Sequence, residues 1–246
     1  MSLAAEKIAS GLNGLVEQLE VVSHNVANAQ TAGFKRRVLT FEQEYQKSLK
    51  ALEGSCSLQS NPLQTRQTVD FSQGQLIQTN RPLDVALEGR GFLTVQTPEG
   101  PMYTRNGSLQ LNALSQLTDA EGRLVAGRDG PIYLPADVSP AEVQITLDGT
   151  VRAGGTEIGQ LQLADFGENE NRLIPAGSGV FTAPADAKPT EAADLKVRQG
   201  YQEGSNVQMV EELVSMVTLS RLYEANMNVL RRQRENSQAV LTVVST

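Results

Sequence analysis

The sequence holds almost none of the residues from which small catalytic and metal centres are built. It has one cysteine, Cys56, one histidine, His24, and no tryptophan. A single cysteine excludes an intrachain disulfide framework, and without ligand spacing around it no zinc site can be read. A single histidine excludes multi-histidine metal sites. His24 lies between Ser23 and Asn25 near the end of a helical pattern, where a structural role is expected, and nothing in the sequence brings it to Cys56 as a nucleophile–base pair. Aromatics make up 4% against a hydrophobic content of 39%, thin for the large rings that line small-molecule pockets. The 246 residues carry a net charge of −7, which argues against general affinity for nucleic acid or an anionic membrane. Arg231, Arg232 and Arg234 form a local basic run, read as solvated cations near a helix C-terminus. No stretch reaches the roughly 18 apolar residues of a membrane span. No charged, then apolar, then small-residue leader is visible, so no cleaved secretory signal is expected.

What is present divides by periodicity. From Ser2 to Asn28, Ile8, Leu12, Leu15, Leu19, Val22 and Val26 step alternately by four and three, which lays one narrow apolar stripe along a helix. Such a stripe is a seam, suited to packing against one or a few other helices. Met209, Leu213, Met216, Ser220, Tyr223, Met227 and Leu230 repeat that spacing near the other end. Ser205 and Gln208 have the spacing of a capping box opening this second helix. Glu211 and Glu212 fall early in it and its arginines late, in agreement with the helix dipole. Two narrow seams at opposite ends imply self-association through paired ends; the competing reading is a core helix of an ordinary monomer.

The middle reads as β. Leu83 to Gln96 is a strand-like run broken by Gly89 and Gly91, and Thr97-Pro98-Glu99-Gly100 is a turn. Asn106-Gly107 marks a tight turn or bulge, and Asp148-Gly149 joins two halves of a hairpin, Val143–Leu147 and Thr150–Arg152. Ala183 to Ala193 reads as loop, and residues 35–82 as an extended connector with some helix from Phe41 to Leu52. Short strands punctuated this often suggest a small sandwich or open barrel rather than βαβ units. The expected fold is α+β: paired, coiled-coil-like terminal helices with an all-β domain inserted between them. The expected boundaries are 1–34, 35–82, 83–200 and 201–246. Chemistry finds no foothold. Gly89-x-Gly91 lacks a third glycine and a following helix, no Gly-x-Ser-x-Gly elbow occurs, and of Asp84, Asp119, Asp148 and Asp165 three sit at turns or strand edges, where Asp commonly serves backbone geometry. No enzyme activity and no cofactor are expected.

Three ordered segments carry a resemblance. Ser23-His24-Asn25-Val26-Ala27-Asn28-Ala29-Gln30-Thr31-Ala32-Gly33-Phe34-Lys35 resembles the N-terminal signature of bacterial flagellar rod and hook axial proteins. Arg81-Pro82-Leu83-Asp84-Val85-Ala86-Leu87-Glu88-Gly89-Arg90-Gly91-Phe92 resembles the start of their β domain, and Tyr103-Thr104-Arg105-Asn106-Gly107-Ser108 its next strand. Glu203-Gly204-Ser205-Asn206-Val207 and Glu211-Glu212-Leu213-Val214-Ser215-Met216 resemble their C-terminal helix. The set is most similar to the FlgF/FlgG rod group. One departure is Asn112-Ala113-Leu114-Ser115, where the family usually has a glycine-containing turn.

The resemblance implies a structural subunit of the basal-body rod that leaves the cytoplasm through the flagellar export apparatus. Its partners would be further copies and other rod or hook proteins, with no nucleic acid and no direct membrane span. The implied assembly residues are Leu12, Leu15, Leu19, Val22, Asn25, Asn28, Gly33 and Phe34 in the first segment. Their counterparts are Ser205, Asn206, Leu213, Met216, Tyr223, Met227 and Leu230. The rival from another class is a non-flagellar oligomeric binding or coat protein whose terminal helices trimerise.

Overall fold

The computed structural model describes residues 3–42, 64–192 and 194–244. Cys56 and most of the helix expected from Phe41 to Leu52 lie outside them; Phe41 and Glu42 end a strand. The architecture is α+β: an N-terminal helix α1 (Leu3–Ala27), a mainly β middle, and a C-terminal helix α2 (Met209–Val244). The chain divides into two compact units. The helical unit takes residues 1–27, 37–68 and 208–246, and the β unit takes 28–36 and 69–207.

In the helical unit α1 and α2 lie against each other, and Arg37–Glu42 pairs with Gln64–Val69 as a two-stranded ribbon. Strands therefore occur inside the segment expected as a connector. Among the described side chains the buried ones are Leu12, Val21, Val22 and Asn25 from α1, and Glu212 and Leu219 from α2. Ser205 does not cap α2, whose first residue is Met209. Its hydroxyl instead accepts from the Val207 backbone N–H at 3.2 Å, a local Ser turn ahead of the helix. The Gln208 carbonyl accepts from Glu212 N at 3.1 Å and so opens the helical ladder.

The β unit is antiparallel throughout its assigned pairings. Its largest sheet runs Ile174–Pro175, Val180–Thr182, Gly100–Thr104, Phe92–Thr97, Leu124–Gly127, Leu117–Thr118, Gln110–Leu111. Leu163–Asp165 joins it against Phe92 and Leu93, and carries Thr190–Glu191 on its other side. That short strand interrupts the loop expected from Ala183 to Ala193. The hairpin of Val143–Ile145 with Thr150–Ala153 forms as its turn sequence implies, with Gly149 at φ +81°. The run from Leu83 to Gln96 is two strands. Gly91, at φ +131°, breaks it, so that Val85–Glu88 pairs with Lys196–Gln199 while Phe92–Thr97 enters the large sheet. The glycine-free turn at Asn112–Ser115 closes by other means. Ser115 takes φ +58°, and the Asn112 carboxamide oxygen accepts from Leu114 N and Gln116 N.

Two apolar clusters fill this unit. One is aliphatic, with Val85, Leu87, Leu93, Leu109, Val125, Val151 and Val197 essentially sealed from solvent. The other gathers Phe71, Phe92, Tyr103, Phe166 and Phe181 edge to face, with centroids 4.7–6.0 Å apart. Five of the eleven aromatics meet here, where edge-on rings add about 0.5–1.5 kcal/mol per pair beyond burial.

Candidate functional site

Two features stand out, one in each unit. In the β unit the segment leaving α1, the central β motifs and the segment leading to α2 meet in a buried polar junction. Glu203, at the end of the Tyr201–Glu203 strand, is its centre. Its carboxylate accepts from Lys35 Nζ at 2.6 Å, Gly74 N at 3.0 Å and Arg105 Nη1 at 3.4 Å. Its backbone carbonyl accepts from Gly33 N at 2.7 Å. The Lys35 and Glu203 side chains are fully buried. Lys35 also donates to the Ser72 carbonyl at 2.7 Å, and Arg105 Nη2 to the Gly89 carbonyl at 2.7 Å, with the guanidinium 5.3 Å from the Phe92 ring centre. Burial pulls the Lys35 ammonium below its ordinary pKa, and the Glu203 carboxylate pulls it back up. Two cations share one carboxylate, so removing that carboxylate strands both in a low dielectric, a change typically worth about 3–5 kcal/mol.

Glycines let the strands of this junction close. At Gly33, φ +68°, a Cβ would stand 2.4 Å from Asn106 N; at Gly74, 2.0 Å from the Gly204 carbonyl; at Gly107, 1.8 Å from the Val85 carbonyl. Gly107 is thus a close-approach position and not a hairpin turn. Asn206 ties the same region: its Oδ1 accepts from Arg36 N at 2.7 Å, and its Nδ2 donates to the Asp70 carbonyl at 2.8 Å. Asp84 is buried and accepts from Gln202 Nε2 at 3.0 Å. The other aspartates serve turns, as with Asp119, which accepts from Arg123 N and Glu121 N. Asp148 holds Thr150 Oγ1 at 2.9 Å, and these bonds to Thr146 and Thr150 keep its carboxyl below the ordinary range.

In the helical unit Asn25 is wholly buried. Its Oδ1 accepts from Arg37 N at 2.9 Å, and its Nδ2 donates to the Arg37 carbonyl at 2.9 Å and to Glu212 Oε1 at 3.4 Å. The asparagine of the N-terminal motif therefore fixes the start of the Arg37–Glu42 strand and touches the acidic first turn of α2. Thr31 N donates to the Asn28 carbonyl at 3.1 Å in the turn after α1, and Phe34 is buried in the same segment.

The second feature is the outward side of α2. Val210, Leu213, Val214 and Val217 are 75%, 44%, 61% and 53% exposed. Their i, i+3, i+4, i+7 spacing puts them on one side of the helix, while Glu212 and Leu219 are buried. Tyr223 and Met227 are exposed farther along, and Leu15, Leu19, Met216 and Leu230 are half-buried. Of the residues singled out in the sequence, Asn25, Gly33, Phe34 and Asn206 thus lie in internal ties, and Leu213, Tyr223 and Met227 face outward. Sequence reasoning passed over Lys35, Arg105, Glu203 and Glu212 as functional groups, although all four are charged and stand inside the motifs that carry the family resemblance.

A chain that engages its buried charges in holding its own segments together, and turns apolar residues outward along a terminal helix, has the features of a structural protein. Three family models match it in order. "Flagella basal body rod protein" covers residues 8–35, "Flagellar hook protein FlgE/F/G D1 domain" residues 86–153, and "Flagellar basal body rod FlgEFG protein C-terminal" residues 198–243. It is 35% identical to the flagellar basal-body rod protein FlgF of Salmonella typhimurium, over 90% of each chain. It is 34% identical to that of Escherichia coli, again over 90% of each. To the rod protein FlgG of Agrobacterium fabrum it is 31% identical, over 94% of this chain and 95% of the relative. The chain belongs to the flagellar basal-body rod protein family.

Proposed function

We propose that this protein is a subunit of the flagellar basal-body rod that polymerises through its terminal helices into a hollow, torque-transmitting shaft. Its neighbours are copies of itself and other axial proteins of the rod and hook. It reaches the rod through the flagellar export apparatus. The observation that carries this reading is the outward apolar row on α2, Val210, Leu213, Val214 and Val217. Apolar surface left uncovered on a helix is stabilised by burial against another helix, at about 25 cal/mol per Å². In the assembled state α1 and α2 form a coiled-coil-like bundle with helices of adjacent subunits. Leu12, Leu15, Leu19 and Val22 contribute from α1, and Leu213, Met216, Tyr223, Met227 and Leu230 from α2. Repeated head-to-tail contacts of this kind generate a helical polymer.

Leu213→Asp tests the proposal. The side chain is partly exposed in the single chain, so the purified variant keeps its thermal midpoint within about 0.5 kcal/mol of stability. A strain whose only copy carries the substitution lacks filaments by electron microscopy, because an unpaired charge is forced into the inter-subunit contact. Normal filaments would reject the α2 row as an assembly surface, and loss of folding would favour a monomeric core helix.

A further inference from the structure

From the Glu203 junction we infer a second, mechanical role: it is a force clamp that shields the β unit from tension between the two chain ends. The inference rests on reading the protein as a torque-bearing subunit, but the clamp itself is a property of the single chain. The segment arriving from α1 passes Gly33, Lys35 and Arg36, and the segment departing toward α2 passes Glu203 and Asn206. Those five residues bond directly to one another across 168 and 170 positions of sequence. Gly33 N reaches the Glu203 carbonyl at 2.7 Å, Lys35 Nζ the Glu203 carboxylate at 2.6 Å, and Arg36 N the Asn206 carboxamide at 2.7 Å.

A pull applied to the incoming and outgoing segments therefore meets these three bonds before it meets any strand between Val85 and Gln199. Two of the three involve backbone N–H groups, and the third is a charge-assisted bond out of reach of water, where competition from solvent is weakest. Gly74 N donates to the same carboxylate oxygen as Lys35 and Arg105 to the other, so the anchor is braced against rotation. The sheets behind it are thus stretched only after the clamp has opened. Short, buried bonds suit this task better than extended apolar contact, because they resist displacement over a fraction of an ångström.

The test is single-molecule pulling on the full-length chain through handles at its two ends. In the wild type α1 and α2 part first, the clamp then opens in one event, and the β unit releases its chain from residue 69 to Glu203, roughly 450 Å when extended. Asn206→Ala, and separately Glu203→Gln, shorten the lifetime of the folded unit at constant force by about tenfold or more, the loss of a buried or charge-assisted bond. Val151→Ala, in the aliphatic cluster away from the junction, is the control. It lowers the thermal midpoint but shortens the lifetime under force less than a junction variant of equal thermal midpoint. Should Glu203→Gln fail to fold, Asn206→Ala carries the comparison alone, since it removes no charge. Equal lifetimes under force for junction and control variants at matched thermal midpoint would overturn the clamp. Filament formation by Leu213→Asp decides the rod assignment separately, so the two readings fail independently.

Discussion

The helical unit and the β unit treat their apolar residues in opposite ways. The β unit seals its large aliphatic and aromatic side chains, Leu93, Leu87 and Phe92 among them, inside its own fold. Among its described side chains the helical unit buries few, and leaves Val210, Leu213, Val214, Val217 and Met227 in water. The first closes an apolar core within the single chain, though Leu114, Leu147 and Ile174 stay exposed on it. On the proposed reading the second gains further contacts from other helices, and helices draw most of their stability from such packing. On that reading folding and assembly fall to different parts of the sequence, and substitutions should separate them.

The largest expected effect comes from Gly33→Val. Its Cβ would stand 2.4 Å from Asn106 N and 2.5 Å from the Arg105 carbonyl carbon, at φ +68°. We expect the purified variant to lose more than about 4 kcal/mol, in the range reserved for strain and severe clash. A chemical denaturation curve matching wild type would break the division, because it would mean the N-terminal motif is not part of the β unit. Leu93→Ala comes next, at about 2–5 kcal/mol for a sealed leucine. Amide exchange in α1 and α2 should be unchanged by it; coupled loss of helix protection would merge the two units into one. Val214→Asn is smaller still, within about 0.5 kcal/mol of wild type in the isolated chain, while its effect on filament number is large.

The smallest effect is a pH response of opposite sign in the two units. Burial, and then the charge of Arg37, holds His24 below its ordinary value of 6.5. Below that value the unfolded chain binds the extra proton, so the helical unit loses stability as the pH falls from about 6.5 through the folded pKa. Burial holds the Glu170 carboxyl above its ordinary 4.5, against the pull of Arg105. There the folded state binds the extra proton, and the β unit gains stability as pH falls through the folded pKa toward 4.5. Amide exchange followed segment by segment between pH 7 and pH 5 should show α1 loosening while the strands hold. Parallel behaviour in both units would contradict these assignments.

The two helices were legible because a step of four and three survives on the surface of a helix whatever it later packs against. The hairpin at Asp148-Gly149 was legible because its turn chemistry is local. The junction was not, because it joins Lys35 to Glu203 across 168 positions, and no periodicity reports a contact of that range. Both residues stand in motifs that carry the family resemblance, yet nothing in the sequence marks their charges as buried. Ser205 misled for a related reason. Its spacing to Gln208 fits a capping box, but the chain spends Ser205 on a turn and begins the helix at Met209. The break at Gly89 and Gly91 was legible, but a glycine inside an apolar run does not say which sheet each half will join.

The close approaches at Gly33, Gly74 and Gly107 also limit how this sequence can vary. A buried ion pair such as Lys35 with Glu203 has, in principle, an alternative: two apolar side chains of matching volume can occupy the same space at little cost. A Cβ drawn 1.8–2.4 Å from a backbone atom has none, since no side chain is smaller than a methyl group and the atom it strikes belongs to the backbone of another segment. In a saturating substitution library selected for folding, these three positions should return glycine alone. The α2 row, selected the same way, should accept nearly anything, and narrow to apolar residues only when the selection is motility.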